Sequence, residues 1–327
     1  MAGNFVQLHN HTHYSLLDGA SKVPDLVKRV KELGMPAVGI TDHGNMHGAY
    51  ELWRAAVDSG VKPIIGIEAY VTPETARQDK TRVSWDTNWT PVPGHARNPD
   101  DVSGGGLITH LTMWAENDEG LVNLIKASSV ANLEGRVMRY PRMDKEVLST
   151  YSKGVIASSG CPSGIIQTRL RLGQFDEALR AAGEFQDIFG KDNFYIELMD
   201  HGLSIESKVT GDLLTIAKKL GAPLLATNDS HYVMEADKDA QDAMLCINSG
   251  ATLDDPNRFK FEGSGYYIKS AEEMRELFKD LPEACDNTLE IAERCNVMFD
   301  DHEDGAFMPQ FDCPEGWDET SLFLKKV

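Results

Sequence analysis

Short apolar runs that end at a side chain able to bind a metal ion recur along this chain. They occupy residues 5–8, 37–41, 63–67, 107–109, 154–157, 194–196 and 223–227. The runs are rich in Val, Ile and Leu without polar alternation, which is typical of parallel strands covered on both faces. Helical stripes separate them, such as the one from Val23 to Leu33 that stops at Gly34. The pattern predicts an α/β barrel of seven parallel strands with crossover helices.

Polar side chains at the ends of these runs are the first candidates for a site, because barrel enzymes place their chemistry at the carboxyl ends of parallel strands. The candidates are His9, His11, Asp42, His43, Glu68, His110, Cys161, Glu197, Asp229 and His231. The pairs 9/11 and 229/231 have a spacing of two, which puts both side chains on one face of a strand. Two histidines and a carboxylate are enough to begin a site for zinc, manganese or iron.

Some of these positions have an ordinary structural interpretation. Asp18 stands beside Gly19, so a role as a turn residue is as well suited to it as a role in the site. We expect Asp42 to cap the helix after the second run. Cys161 alone could be a small buried apolar residue. Glu197 and His201 are ambiguous, while His13 and His47 are expected near the pocket without binding a metal.

A cluster of two or three divalent ions favours one class of reaction. It activates water and clamps a phosphoryl group during attack, so hydrolysis of a phosphomonoester or phosphodiester is predicted. Metal-dependent amide hydrolysis remains open. The sequence contains no GxSxG, Walker loop, GxGxxG or HExxH motif.

Composition limits the partners. The formal net charge is −19, which argues against a nucleic-acid footprint over the whole surface. Local contact with a phosphate remains possible, because bound divalent cations reverse the sign inside a pocket. Five scattered cysteines without a CxxC pair indicate reduced thiols. Since no apolar run reaches about 18 residues and no signal peptide is present, we expect a cytoplasmic protein with no membrane partner.

The repeating pattern is interrupted twice. Residues 74–106 are rich in Pro, Asn, Asp and Gly, which predicts a surface insertion. Beyond Gly250 the pattern changes, with a capping box at Ser270 and Glu273 and a helix opening at Pro282. We predict a barrel domain over residues 1–252 and an extension over 253–327. The chain stops inside the start of a helix, which indicates a piece of a longer protein.

Six segments together resemble a known family. Residues 8–19, 41–45, 66–70, 109–111, 159–164 and 226–232 are similar in type, order and spacing to the motifs of polymerase and histidinol phosphatase (PHP) domains. More narrowly, they resemble the N-terminal PHP domain of bacterial DNA polymerase III alpha subunits. Residues 256–259, 266–274 and 287–292 resemble the passage towards the polymerase palm of that family. The resemblance implies a distorted seven-stranded barrel with a short C-terminal extension towards a palm.

The resemblance also implies a centre of three metal ions with nine ligands. Carried over by position, the first ion takes His9, His11, Glu68 and Asp229, the second takes Glu68, His110 and Cys161, and the third takes Asp18, His43 and His231. Two or three divalent ions are expected: zinc, manganese or iron, alone or mixed. The intact set implies a 3′–5′ exonuclease that proofreads. Its partners would be a single-stranded DNA 3′ end and other replicase subunits, and the palm aspartates of the family would lie beyond residue 327.

Two alternatives belong to other classes. The barrel could be a metal-stiffened scaffold that supports a polymerase and binds partner subunits without turnover. It could also be a stand-alone phosphatase for a small molecule, although the extension beyond Gly250 disfavours this. His13 stands where close relatives are expected to carry an acidic residue, which alters the expected charge of the pocket.

Overall fold

The computed structural model describes residues 5–91, 98–101, 103–299 and 311–326. Its strands are β1 (Ala37–Ile40), β2 (Lys62–Val71), β3 (Thr109–Ala115), β4 (Arg142–Met143), β5 (Val155–Ser158), β6 (Phe194–Leu198) and β7 (Leu224–Ala226). Its helices are α1 (Val23–Glu32), α2 (Ala49–Ser59), α3 (Ser103–Gly106), α4 (Asp118–Glu134), α5 (Lys145–Thr150), α6 (Ile165–Arg171), α7 (Phe175–Phe189), α8 (Ser204–Leu220), α9 (Lys238–Ser249), α10 (Ala271–Leu277), α11 (Pro282–Arg294) and α12 (Glu319–Lys326). A 3-10 turn, Glu235–Asp237, precedes α9.

The chain divides into two compact units, Met1–Val297 and Met298–Val327. The first contains the sheet and α1 to α11, and the second contains α12. Within the described ranges, every helix is too short or too polar to cross a bilayer.

The strands form one mixed sheet with the order β1-β2-β3-β5-β6-β7, and β4 pairs with β2. Residues 5–12 lie between the two edges of this sheet. Gln7 forms a parallel bridge to Val38 of β1, and Asn10 forms one to Ser230, just after β7. The sheet thereby curls into a distorted seven-stranded barrel with helices, as predicted.

The direction of β3 corrects the expectation of an all-parallel sheet. β3 runs antiparallel to both of its neighbours, β2 and β5, and His110 is paired with Tyr70. The insertion after β2 returns the chain to the end of β2 that it has just left, so β3 needs no crossover helix. The amino end of β3 therefore meets the carboxyl end of β2, and His110 stands at the start of its strand.

Two strand assignments also need correction. The first run, residues 5–8, forms isolated bridges instead of a regular strand. Its backbone is satisfied partly by side chains: Val6 N–H donates to Thr288 Oγ1 (3.1 Å), and Trp114 Nε1–H donates to Leu8 O (3.1 Å). β4 was not predicted, because two residues are too few to show a periodic signal.

The core joins the sheet to α11. It contains Val6, Leu8, Ala37, Ile64, Trp114, Ile156, Tyr195, Leu225, Ile291, Ala292 and Cys295. The predicted capping box of α10 is confirmed, with Ser270 and Glu273 bonded reciprocally, and so is the opening of α11 at Pro282. Because α10 and α11 lie in the same compact unit as the barrel, the extension contributes to the core. The proposed domain boundary after residue 252 stays a prediction.

Arg142 of β4 ties the insertion to the sheet. Its guanidinium is fully buried and donates to four backbone carbonyls, those of Arg77, Asp79, Leu107 and Gly135. Two of these carbonyls belong to the insertion predicted over residues 74–106, whose only regular element among the described residues is the four-residue segment α3, in which Gly104 and Gly105 have left-handed backbone angles (φ 58° and 63°). A buried cation therefore fixes both flanks of a long irregular connection.

Candidate metal centre

Two period-two pairs face one another across the closing seam of the barrel. His11 N–H donates to Ser230 O (2.8 Å), and Ser230 N–H donates to His9 O (3.1 Å). This pairing aligns the side chains on both sides. Asp229 Oδ1 lies 3.3 Å from His9 Nε2 and 3.0 Å from His11 Nε2. These three side chains form one group able to hold a metal ion.

Glu68 lies at the middle of the cluster. Its carboxylate is 2.6 Å from His43 Nδ1 and 3.1 Å from His110 Nδ1, and 3.5 Å from Nε2 of both His9 and His11. Residues His43, Glu68 and His110 form a second possible metal group. Glu68 was expected to end its strand, but β2 continues to Val71. The longer strand is the one on which β3 pairs, and that pairing brings His110 to the carboxylate.

A third group consists of His11, His43 and His231. Asp18 adjoins it, with Oδ2 at 3.1 Å from His43 Nε2 and Oδ1 at 3.8 Å from His231 Nε2.

Cys161 completes the set, with Sγ at 3.5 Å from His110 Nδ1. All nine predicted ligands therefore meet in one place. The grouping differs from the one carried over by resemblance, since His43 lies with Glu68 and His110 as well as with His231.

Several buried atoms of the cluster make no hydrogen bond of regular geometry among the described residues, although other ligand-type atoms lie within 3.8 Å of them. They are Asp18 Oδ1, His43 Nδ1, both carboxylate oxygens of Glu68, Asp229 Oδ1 and His231 Nε2. Buried polar atoms that crowd together without well-directed hydrogen bonds are costly, so such atoms indicate a missing positive partner. Imidazole, carboxylate and thiol together are donors that zinc, manganese and iron accept. The side chains present therefore fit divalent metal ions.

Burial and neighbouring charges shift the pKa values of the cluster in opposite directions. Burial acts against protonation of His9, but Asp229 and Glu197 hold the pKa of this imidazole well above its usual value. Burial, His43 and His231 lower the pKa of His11 to about 3. Burial favours neutral Glu68, yet His110 and His43 hold its pKa well below the ordinary range. Burial, Glu68 and Asp229 raise the pKa of the Cys161 thiol. Ionised carboxylates thus lie against imidazoles that cannot all be protonated, which a bound cation would relieve.

Glu197 is a supporting residue that the sequence left ambiguous. Its Oε1 accepts hydrogen bonds from His9 Nδ1 (2.7 Å) and Thr227 Oγ1 (2.5 Å), and Oε2 accepts one from Ser158 Oγ. With the proton held on Nδ1, the Nε2 of His9, which faces Asp229 and His11, is the nitrogen that would bind a metal ion. A carboxylate behind a ligating imidazole is the usual way in which its tautomer is fixed. The position of Glu197 after a predicted strand was the available signal.

Asp42 has a different role from the one expected. The prediction that it caps α2 was wrong, because α2 begins at Ala49 after Gly48. The Asp42 carboxylate instead accepts from Thr12 N–H (2.7 Å) and Ser15 Oγ–H (2.7 Å). Ser15 Oγ also lies 3.0 Å from His11 Nδ1. Asp42 therefore orients His11 through Ser15, a link between separate loops that sequence spacing does not reveal.

The remaining histidines are outside the cluster. His201 Nδ1 is paired with Glu206 (2.5 Å), and its Nε2 lies 2.9 Å from Asn228 O, so it supports the loop that carries Asp229. His13 is half exposed near Glu51, and His47 is likewise outside the three metal groups. His95 and His302 fall outside the described residues.

Comparison with known proteins shows the family to which this chain belongs. A family model of the PHP domain matches residues 7–201. This chain belongs to the PHP domain family. It is 52% identical over 325 residues to DNA polymerase III subunit alpha of Mycobacterium leprae, and 40% identical over 326 residues to that of Borreliella burgdorferi. These alignments cover 99% of this chain but 27% and 26% of those proteins, so the chain spans about a quarter of their length.

A solved protein of Bifidobacterium adolescentis, described as a metal-dependent phosphoesterase, is 15% identical with a TM-score of 0.37. The match covers 83% of this chain and 95% of that one. At this level the likeness carries no argument.

The PHP centre is open on one side. Asp18, His43, His110 and Asp229 have side chains that are 13–19% exposed, whereas those of His9, Glu68 and His231 are at most 2% exposed. A substrate would therefore approach from the side of the four partly exposed residues.

Proposed function

We propose that this PHP centre binds two or three divalent ions and hydrolyses phosphodiester bonds at the 3′ end of single-stranded DNA, as a proofreading 3′–5′ exonuclease. Zinc, manganese and iron, alone or mixed, suit the donors. The observation that carries the proposal is the convergence of nine ligand-type side chains whose buried polar atoms crowd together without regular hydrogen bonds. The relatives are subunits of a DNA polymerase, which supports DNA as the substrate and other replicase subunits as partners.

The three groups suggest how the ions would be shared. His9, His11 and Asp229 would hold one ion, and His43, Glu68 and His110 would hold a second. His231 would hold a third with the help of Asp18, and Cys161 would complete the coordination beside His110. When bound, divalent ions lower the pKa of a coordinated water to about 7 and neutralise phosphoryl charge.

The chain itself supplies order and access. Glu197 keeps the proton on His9 Nδ1, and Ser15 fixes the ring of His11. Glu68 is 1% exposed, so bulk water does not compete for its carboxylate. The partly exposed Asp18 and Asp229 lie where a phosphate would arrive.

The direct test is hydrolysis of 3′-labelled single-stranded DNA with added manganese or zinc. Asp18→Asn and Asp229→Asn should each lower the rate of hydrolysis by more than the ~10- to 100-fold that removal of a residue supporting a metal ligand costs. Asp286→Asn is the matched control, because Asp286 is exposed and pairs with Arg275 away from the cluster. If both cluster variants keep the wild-type rate, the activity comes from a contaminating nuclease and the proposal fails.

The same preparation tests the scaffold alternative. A silent scaffold would lose melting temperature on metal removal, through lost binding linkage, and would show no hydrolysis with any metal. Hydrolysis of a small phosphomonoester without action on DNA would favour the stand-alone phosphatase.

A further inference from the structure

A cleft of about 430 Å³ adjoins the metal cluster. Its walls come from Tyr232 before α9, from the start of α9 with Lys238 and Gln241, and from the segment after α9 with Arg258, Lys260 and Phe261. The volume lies within the ~300–1,000 Å³ of pockets that bind small ligands.

Two contacts connect this cleft to the cluster. The ring of Phe261 meets His231 edge to face, with centroids 4.6 Å apart. The side chain of Gln241 donates to Asp18 O (3.2 Å). Because Asp18 lies on the open side of the cluster, a molecule whose phosphate reaches the metal ligands can extend its other end into the cleft.

The charges of the cleft favour a nucleoside over a long phosphate backbone. Arg258 is neutralised by a two-point ion pair with Asp242. Lys238 and Lys260 make no ion pair with any residue that the structure describes, but Asp239 and Glu262 stand on the same walls. A groove that binds a nucleic-acid backbone would need an excess of positive over negative side chains. The lining of this cleft has no such excess.

The cleft offers both an apolar and a polar surface of the kind that binds a nucleobase. Phe261 belongs to an aromatic cluster with Phe259 (5.9 Å between centroids) and Tyr266 (4.7 Å). Phe259 is 61% exposed, and bases stack on aromatic side chains with little sequence preference. Tyr232 is 1% exposed, and its buried hydroxyl makes no hydrogen bond of regular geometry in the described structure, with the Tyr266 backbone as a polar neighbour. A buried hydroxyl with so weak a partner on the wall of a cleft is a second, independent indication of a ligand.

We infer that this cleft is the subsite for the base and sugar of the terminal nucleotide, with Phe261 as the stacking surface and Tyr232 as the hydrogen-bonding group. The inference rests on the proposed function, because the phosphate of the same nucleotide would lie at the metal ligands. The substrate class is then a single-stranded chain whose last base is free to leave its stack, in keeping with a 3′ end that is frayed or mispaired.

The test measures binding rather than turnover. The full chain is titrated calorimetrically, with manganese, against thymidine 5′-monophosphate, deoxyribose 5-phosphate and inorganic phosphate. We expect the nucleotide to bind about tenfold more tightly than deoxyribose 5-phosphate, which is within the range of one stacked base. Phe261→Leu should reduce this ratio to below about threefold, and Tyr232→Phe should reduce it by about threefold.

The matched control is Tyr195→Phe, since the Tyr195 hydroxyl is bonded to Arg294 and does not line the cleft. It should keep the wild-type ratio. Tyr232→Phe should fold normally, because the hydroxyl that it removes makes no hydrogen bond of regular geometry. Equal affinities for the nucleotide and deoxyribose 5-phosphate in the wild type would overturn the subsite.

The outcomes separate the two proposals. If phosphate binds with manganese but the base adds no affinity, the subsite is wrong while the proposed hydrolysis stands. If the base adds affinity that Phe261→Leu removes, while manganese makes no difference to phosphate, the subsite stands and the proposed metal chemistry fails. If none of the three ligands binds, both are wrong.

Discussion

Replacing Glu197 by Gln tests whether the carboxylate behind His9 controls metal binding. Glutamine has the same shape and keeps one oxygen to accept from His9 Nδ1 and Thr227 Oγ1, so what is lost is mainly the negative charge. Charge-assisted hydrogen bonds are about twice as strong as neutral ones, and His9 becomes a weaker donor to a metal. Loss of such a supporting residue costs about 10- to 100-fold in metal affinity, or ~1.4–2.7 kcal/mol.

The assay is a zinc or manganese titration by calorimetry, together with thermal unfolding at several metal concentrations. Because stabilisation by a ligand follows RT ln(1 + [L]/Kd), the metal-dependent rise in stability at a fixed excess of metal should shrink by the same ~1.4–2.7 kcal/mol. Glu116→Gln is the control, since Glu116 is paired with Arg294 and belongs to no metal group. A Glu197→Gln affinity within about threefold of wild type would refute this role for the carboxylate.

Two further predictions concern stability. Arg142→Met should destabilise the fold by about 3 kcal/mol or more, because it leaves four backbone carbonyls without their donor, two of them buried; chemical denaturation measures this, and a loss below ~1 kcal/mol would contradict it. Burial lowers the pKa of Lys269 to about 8, so between pH 8 and about 10.4 the unfolded chain binds more protons and stability from this residue rises with pH. The free energy of unfolding of the wild type should therefore rise relative to that of Lys269→Met across that window, by up to about 3 kcal/mol. A difference between the two free energies that does not change with pH would show that the pKa shift is absent.

Much of the site was readable from the chain. The spacing of two in His9/His11 and in Asp229/His231 predicted side chains on one face, and the structure places both pairs at the seam of the barrel. Apolar runs predicted six of the strands because buried parallel strands need unbroken apolar residues. These are local signals, and local backbone geometry is sufficient to produce them.

Direction and grouping could not be read in this way. Whether β3 runs parallel or antiparallel depends on where the long insertion returns the chain, and residues 72–108 carry no periodic pattern that says so. That choice decides that His110 meets Glu68 from the start of a strand. The sequence predicted a helix cap for Asp42 and left Glu197 ambiguous, yet one steadies His11 through Ser15 and the other contacts His9 directly.

The amino-acid sequence by itself determined which side chains are able to bind cations and which segments become strands, since both depend on residue type and on neighbours a few positions away. Tertiary structure alone decided which of those side chains stand together in one group able to hold an ion, which ones only orient others, and that a cleft lies beside them. These outcomes depend on contacts between segments far apart in the chain, such as Gln241 with Asp18, which are separated by 223 residues, and no local pattern encodes such distances.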